Sequence, residues 1–351
     1  MAAKETRVDW RPLQEFTKEV FVRAGLPPED AETEAKVLVW ANLRGVDSHG
    51  VLRIPWYVEH VDTGHMNPRP SIRVEKETAA TALIEGDRAF GPVVTVLGME
   101  KAMEKAKEVG IGWVLLRNIT HQGAIGYYSL MAAQSDMVGI TFVCSPPNMA
   151  PFGAKAAGVH NSPIAIAVPA KRHRPLILDM ATSVKAGGWL SVARDKGIPI
   201  PEGWALDKDG NPATDPKLAA ILLPFGGAKG SGLAMMFECI SSVMAGNPLQ
   251  EPVLSGRQKR GEHNQNSVVA AIDIGTFTDV EGYKETIDSY IDGLKALPKA
   301  EGFDEILVPG EPEERNFEER SRKGIPLPEG TIKNLRSIAE RFELKLPRGL
   351  Q

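Results

Sequence analysis

Cysteine is scarce, with Cys144 and Cys239 the two in 351 residues, and so few exclude a disulfide framework. Both lie in apolar stretches, which predicts two buried thiols with a packing role. Long hydrophobic runs are missing. None approaches the roughly 20 residues that span a bilayer. The opening MAAKETRVDW also lacks the apolar segment of a secretory signal. Both features point to the cytoplasm. Neither charge dominates, since 41 Lys and Arg face 45 Asp and Glu for a net charge of −4. That balance gives no footprint for nucleic acid or an anionic membrane. The charged stretches at 171–174 and 311–320 read as a solvated turn and a solvated face.

Several catalytic signatures are absent too. The seven histidines are scattered, with no HxxxH or HExxH, so no metal site is expected. No GxSxG elbow marks a serine hydrolase. The glycine-rich stretch at 222–233 is not a P-loop, because Lys229 is followed by Gly230 rather than Ser or Thr. No GxGxxG follows a strand-like segment, so a dinucleotide is either not bound or is bound on another fold.

What remains is an ordinary globular composition, 42% hydrophobic and 25% charged. It suffices for two lobes, or for one large domain with a helical cap. Periodicity predicts helices in the first third. Leu13, Phe16, Val20 and Val22 share the face of one, a second covers 29–43, and a third runs from Val51 to Val61 and stops near Gly64. Strands are predicted at 81–85, 111–117, 139–144, 163–169, 176–179 and 268–274. Helices separate them at 93–110, 124–134 and 229–245. Beyond Val280 the chain reads as helical again. Taken alone, this alternation suggests a doubly wound parallel sheet.

Four constellations carry chemistry. In residues 43–57, Ser48 reads as a helix cap that would put His49 at a helix N-terminus, where the dipole opposes protonation. Arg53 follows one turn on, a fork suited to a carboxylate, and Tyr57 one turn further. A capping box with a surface arginine and a core tyrosine is the alternative. His121 sits where a strand gives way to small residues and a helix, beside a ligand or merely in a turn. Asp179, at a strand end, could hold a ribose, though Thr182 or Ser183 capping the next helix explains the segment as well. Lys229 and Gly230 lie in a turn that either exposes amides to an anion or allows close packing.

In this order, these segments resemble the type 2 malate/L-lactate dehydrogenase family. The resemblance covers LRGVDSHGVLRIP at 43–55, NSPIAIAVP at 161–169, LDMATSV at 178–184, IPEGWALDKDG at 200–210, LLPFGGAKGSGL at 222–233 and LVPGEPE at 307–313. It implies an α/β (α+β), non-Rossmann fold that binds NAD or NADP on a mixed, largely antiparallel sheet. A helical substrate and dimerisation domain would comprise 1–75 with 280–351, and the cofactor domain 76–279. It also implies a homodimer or larger assembly. By the same resemblance His49 is the proton donor, with Ser48, Arg53 and Tyr57 on the substrate side and His121 by the nicotinamide. Asp179, Met180, Ala181, Thr182, Ser183, Lys229, Gly230, Gly310 and Glu311 would embrace the cofactor. The chain departs from the family at His160-Asn161-Ser162 and at Trp189, where a lysine is usual.

The implied activity is hydride transfer between a nicotinamide and a small 2-oxo or 2-hydroxy acid, or alternatively a cyclic imino acid. A lyase or isomerase using His49 without redox chemistry, and a non-catalytic binding protein, are the rivals. Trp56, Met149 and Trp189 are candidate pocket walls or core. The basic turn at 171–174 could meet a 2′-phosphate or lie exposed.

Overall fold

The structure, a computed structural model, describes residues 6–257 and 264–351. Strand β1 (Thr6–Val8) leads into helices α1 (Trp10–Arg23) and α2 (Pro28–Leu43). Asp9 starts α1 by accepting the Arg11 N–H, and Pro28 opens α2, where its missing N–H is no loss. Two 3-10 turns, Asp47–His49 and Val51–Arg53, precede α3 (Ile54–Asp62). Gly64, at φ +72°, follows its end. The buried face of α1 is Leu13, Phe16, Thr17, Val20 and Phe21. Val22 is only partly buried, because nine positions from Leu13 is half a turn off the face, and Phe21 takes the place assigned to it.

The middle of the chain runs β2 (Arg73–Glu77), β3 (Thr81–Glu85), α4 (Gly91–Val109), β4 (Ile111–Ile119), α5 (Gly126–Ala133), β5 (Met137–Cys144), β6 (Ile164–Val168) and β7 (Leu176–Met180). Next come α6 (Gly187–Lys196), β8 (Ala205–Leu206), β9 (Ile221–Leu222), α7 (Ala228–Glu238), α8 (Glu251–Leu254) and β10 (Gln265–Asp273). The last segment holds α9 (Val280–Lys295), α10 (Glu311–Lys323), β11 (Ile325–Leu327) and α11 (Glu329–Phe342).

A seven-stranded sheet has the order β2-β3-β4-β10-β5-β6-β7. Within it β3 and β4 run parallel, joined by the crossover helix α4, and every other neighbouring pair is antiparallel. The sheet is therefore mixed and largely antiparallel, not doubly wound. Hydrophobic alternation reports which strands are buried and not which way they run, so it marks β10 as a strand without showing its late insertion between β4 and β5.

Helices α4 and α5 cover one face. Gly112 lets β4 approach α4 so closely that a Cβ there would sit 1.9 Å from the Ala102 carbonyl oxygen. On the other face Phe142 stacks on Phe237 of α7, with ring centroids 4.7 Å apart. Cys144 is buried in that layer, and burial pushes its thiol up to about 12. Cys239 is exposed, contrary to expectation. Its apolar stretch lies on an outer face, where Met235, Met236, Val243 and Met244 are each more than half exposed.

The chain ends form a separate layer. β1 pairs antiparallel with β11, and Val8, Leu13, Phe16, Phe21, Tyr57, Ile325 and Leu335 share one core. Arg44 reaches from α2 to Glu314 on α10 at 2.9 Å. Gly112→Ala should cost roughly 1–3 kcal/mol, because overpacking here pushes backbone against backbone. Urea denaturation should show the loss as a lower midpoint with an unchanged slope.

Candidate active site

The turn between α2 and α3 is held from beneath. Asn42 accepts the Val51 N–H at 2.8 Å and donates to Asp47 at 2.7 Å. Arg320 of α10 binds both Asp47 oxygens, at 2.7 and 3.1 Å, and also donates to the Asn42 carbonyl. Gly50 is required there, since a Cβ would lie 2.1 Å from Asn42 Oδ1. On this platform Ser48 is no helix cap. Its Oγ lies 2.9 Å from His49 Nδ1, and α3 has no side-chain cap. Arg53 donates through Nε to the Ser48 carbonyl at 2.8 Å. Its two terminal nitrogens have no hydrogen-bond or ion-pair partner among the described residues, so the fork is open to a carboxylate.

Tyr57 is fully buried, and its hydroxyl lies 2.6 Å from His121 Nδ1. The Gly123 N–H donates to the same nitrogen at 3.3 Å. A backbone amide can only donate, so Nδ1 accepts, Tyr57 donates, and the neutral ring carries its proton on Nε2. The His121 ring stacks on His49 with centroids 5.4 Å apart and planes 16° from parallel. Trp56 meets His121 edge-on at 5.8 Å. Burial, and then the Arg53 charge, lower His49 to about 4. The helix dipole invoked from the sequence is not the cause, because His49 lies in a 3-10 turn ahead of α3. Burial also pushes the Tyr57 hydroxyl well up, which keeps it protonated as a donor.

At the end of β7, Asp179 accepts the Gly126 N–H, the first of α5, at 2.8 Å. Asp179 is solvent-exposed. Surrounding protein raises its carboxyl to about 6, the Gly126 bond pulls the other way, and one side of the residue stays accessible to solvent. Met180 pairs with Ile164 in the sheet, and Ala181 follows it. The Thr182 carbonyl accepts the Phe225 N–H at 3.0 Å. Ser183 bridges to Pro224 and donates to the Lys185 carbonyl. Neither Thr182 nor Ser183 caps a helix, since α6 begins after Ala186 without a side-chain cap.

The turn before α7 packs on this segment. A Cβ on Gly230 would lie 2.3 Å from the Thr182 carbonyl oxygen. The amides of Gly227, Lys229, Gly230 and Ser231 donate to carbonyls of the same turn. Its glycines thus serve close approach and not an open cradle of N–H groups. Lys229 is exposed and has no ion pair among the described residues. Gly310, at φ +86°, lies against Ile177, while Glu311 is paired with Lys295 and Arg315 at 2.7 Å each.

Two groups of predicted residues result. Ser48, His49, Arg53, Tyr57 and His121 form one connected cluster. Residues 179–183 and 229–230 form another. They are linked by the Asp179–Gly126 bond and by α6, where a Cβ on Gly188 would meet that of Ser48 at 2.6 Å. Among the described residues Thr182 Oγ1 is buried without a partner, and together with Asp179 and the Lys229 ammonium it makes a donor set that suits the ribose, amide and phosphate groups of a dinucleotide. The basic turn is occupied. Lys171 pairs with Glu285 at 2.6 Å, His173 with Asp292 at 2.8 Å, and Arg172 with Asp292, all acids of α9. Of the three pocket-wall residues, Trp56 touches the site, Met149 is core, and the Trp189 side chain lies outside the described residues. Of the two residues that build the platform, Arg320 was missed because its partners lie at least 273 positions away, and Asn42 because a buried asparagine at a helix end carries no pattern of its own.

Among the described residues no group of three or more His, Cys, Asp or Glu could hold a metal ion, and no helix is long and apolar enough to cross a membrane. Fold and site together define a dehydrogenase on a mixed sheet. The chain belongs to the malate/L-lactate dehydrogenase family, whose pattern it matches over residues 8–336. It is 41% identical to the L-sulfolactate dehydrogenase of Methanocaldococcus jannaschii, over 93% of this chain and 95% of that protein. The solved structure of that enzyme superposes with a TM-score of 0.86, covering 97% of this chain and 98% of that one. The malate dehydrogenase of Pyrococcus horikoshii is 39% identical over 95% of each chain, and the NAD(+) ureidoglycolate dehydrogenase of Escherichia coli K12 is 33% identical over 92% of each.

The pair of causes acting on His49 is testable by NMR titration. Its ring should titrate near 4. Arg53→Ala should raise that midpoint while leaving it below the ordinary 6.5, because burial persists.

Proposed function

We propose that this protein is a cytoplasmic NAD(P)-dependent dehydrogenase that interconverts a small 2-hydroxy acid and its 2-oxo acid. The observation that carries the reading is an imidazole kept neutral by its surroundings beside an unpaired guanidinium, with a second imidazole stacked on it. The relatives named for sulfolactate, malate and ureidoglycolate support an anionic hydroxy acid as substrate.

Arg53 takes the substrate carboxylate in its open fork, which fixes C2 and its oxygen near His49. In the oxidative direction neutral His49 accepts the hydroxyl proton at Nε2. Its Nδ1 carries the ring's own proton and donates it to Ser48 Oγ, which fixes the tautomer that leaves Nε2 free to accept. In the reductive direction His49 returns that proton. A carboxylate seated on Arg53 cancels the second of the two causes that depress His49, so substrate binding itself makes protonation easier. Asp179 to Ser183, Lys229, Gly230, Gly310 and Glu311, with His121, would hold a nicotinamide dinucleotide on this non-Rossmann sheet, and that cofactor exchanges the hydride. The orphaned Thr182 hydroxyl and the unpaired Lys229 support this placement.

The division into a helical layer, 1–75 with 280–351, and a cofactor layer, 76–279, is supported by the core shared between 8–66 and 325–350. The exposed apolar face of Leu233, Met236, Val243 and Met244 supports a homodimer through α7.

A panel of 2-oxo acids and cyclic imines, each with reduced NAD and reduced NADP, tests the reading by loss of nicotinamide absorbance. Turnover with an anionic 2-oxo acid is expected, and turnover of imines alone would move the assignment to a ketimine reductase. His49→Ala should lower kcat by roughly 10²–10⁴-fold with cofactor affinity retained. Arg53→Ala should raise KM roughly ten- to hundredfold, the loss of a charge-assisted contact. Full turnover in His49→Ala would remove His49 from the chemistry.

A further inference from the structure

A carboxyl group that the mechanism does not use lies beneath the site. Glu34 on α2 is fully buried, and neither of its oxygens has a hydrogen-bond partner among the described residues. A carboxylate in that position would be an uncompensated buried charge, so burial holds the group as the neutral acid. Its place in the helix sets what it faces. Val37, three positions on and on the same face, reaches the Gly123 turn next to His121. Tyr57 from α3 and Tyr128 from α5, both fully buried, are near enough for charge on Glu34 to bear on their hydroxyls. Arg53 is the other charged group that reaches Tyr57.

The other hydroxyl donors here have acceptors. Tyr128 gives its proton to the Gln122 carbonyl, and the single Thr95 proton is shared between the Gly91 carbonyl and Gln122 Oε1. Tyr57 gives its proton to His121 Nδ1. The Tyr57 oxygen keeps a lone pair, and neutral Glu34 holds the remaining O–H donor. Buried polar groups without protein partners are satisfied by ordered water.

We propose that Glu34 is a positioning residue whose O–H, through one buried water, donates to the Tyr57 hydroxyl, so that Tyr57 is fixed as a donor and His121 keeps its proton on Nε2. The consequence for turnover rests on the reading that His121 faces the nicotinamide, whereas the tautomer itself does not.

The test uses the full-length protein with ¹⁵N-labelled histidine. The wild type should show His121 with Nδ1 unprotonated. Glu34→Gln, whose amide N–H can replace the donor, should look the same, and Glu34→Leu, which leaves Nδ1 to the long 3.3 Å Gly123 N–H alone, should show a mixture of tautomers. In turnover Glu34→Leu should lose roughly tenfold in kcat with KM little changed, and Glu34→Gln should stay within about twofold of wild type. In a Tyr57→Phe background Glu34→Leu should cost nothing further, whereas a packing defect would add.

A readout without turnover comes from stability. A carboxyl raised in the fold contributes stability that is present below its unfolded value, about 4.3, and lost as pH rises through the folded value. Glu34→Gln should therefore raise Tm more at pH 8 than at pH 4.5. Unchanged His121 tautomers in Glu34→Leu overturn the proposal. Should that variant not fold, an equal Tm change at both pH values overturns it, since it would mean that Glu34 is ionised in the fold. Absence of any dehydrogenase activity would instead sink the preceding functional reading, leaving the spectra and melting curves to judge this one.

Discussion

Two imidazole rings stacked 5.4 Å apart, with a guanidinium in the next turn, cannot both be cations without a large electrostatic penalty. The rest of the site follows from that constraint. His121 is kept neutral-shaped by accepting two hydrogen bonds at Nδ1, and His49 is kept neutral by burial and by Arg53. The positive charge left over is that of Arg53, and its fork is unpaired. A small anion is the ligand that such a pocket attracts, and its arrival relaxes the constraint on His49.

Fold and chemistry are joined by the chain ends. The turn carrying Ser48 and His49 has little regular structure of its own and is held by Asn42, Asp47 and Arg320. Arg320 belongs to α10, close to the C-terminus, and β1 and β11 tie the two ends into one layer. The sheet contributes the opposite wall, through the ends of β4 and β7 and the turn before α7. Ser48, His49, Arg53 and Tyr57 therefore meet the sheet layer at His121 and at α6, and the Gly188–Ser48 approach sets how closely they meet.

Much of this was legible in sequence. Helices α1 to α4 and strands β3 to β7 follow from periodicity, and the 43–57 constellation carries four of the five clustered side chains within ten residues. Strand direction was not legible, since β10 pairs with neighbours more than a hundred residues away. The Tyr57–His121 bond joins residues 64 apart, and nothing in either local pattern announces the other. Cys239 was misjudged because an apolar stretch on an outer helical face reads like a buried one. Glu34 sits among helix-forming acids in EDAETE, and its burial has no local signal.

The most direct measurement is the pH dependence of kcat/KM for oxidation of a 2-hydroxy acid, which reports the free enzyme. A base depressed by burial and Arg53 predicts a profile that stays flat through pH 6 and falls only as the pH approaches about 4. An acid limb centred at the ordinary histidine value of 6.5 would contradict the account.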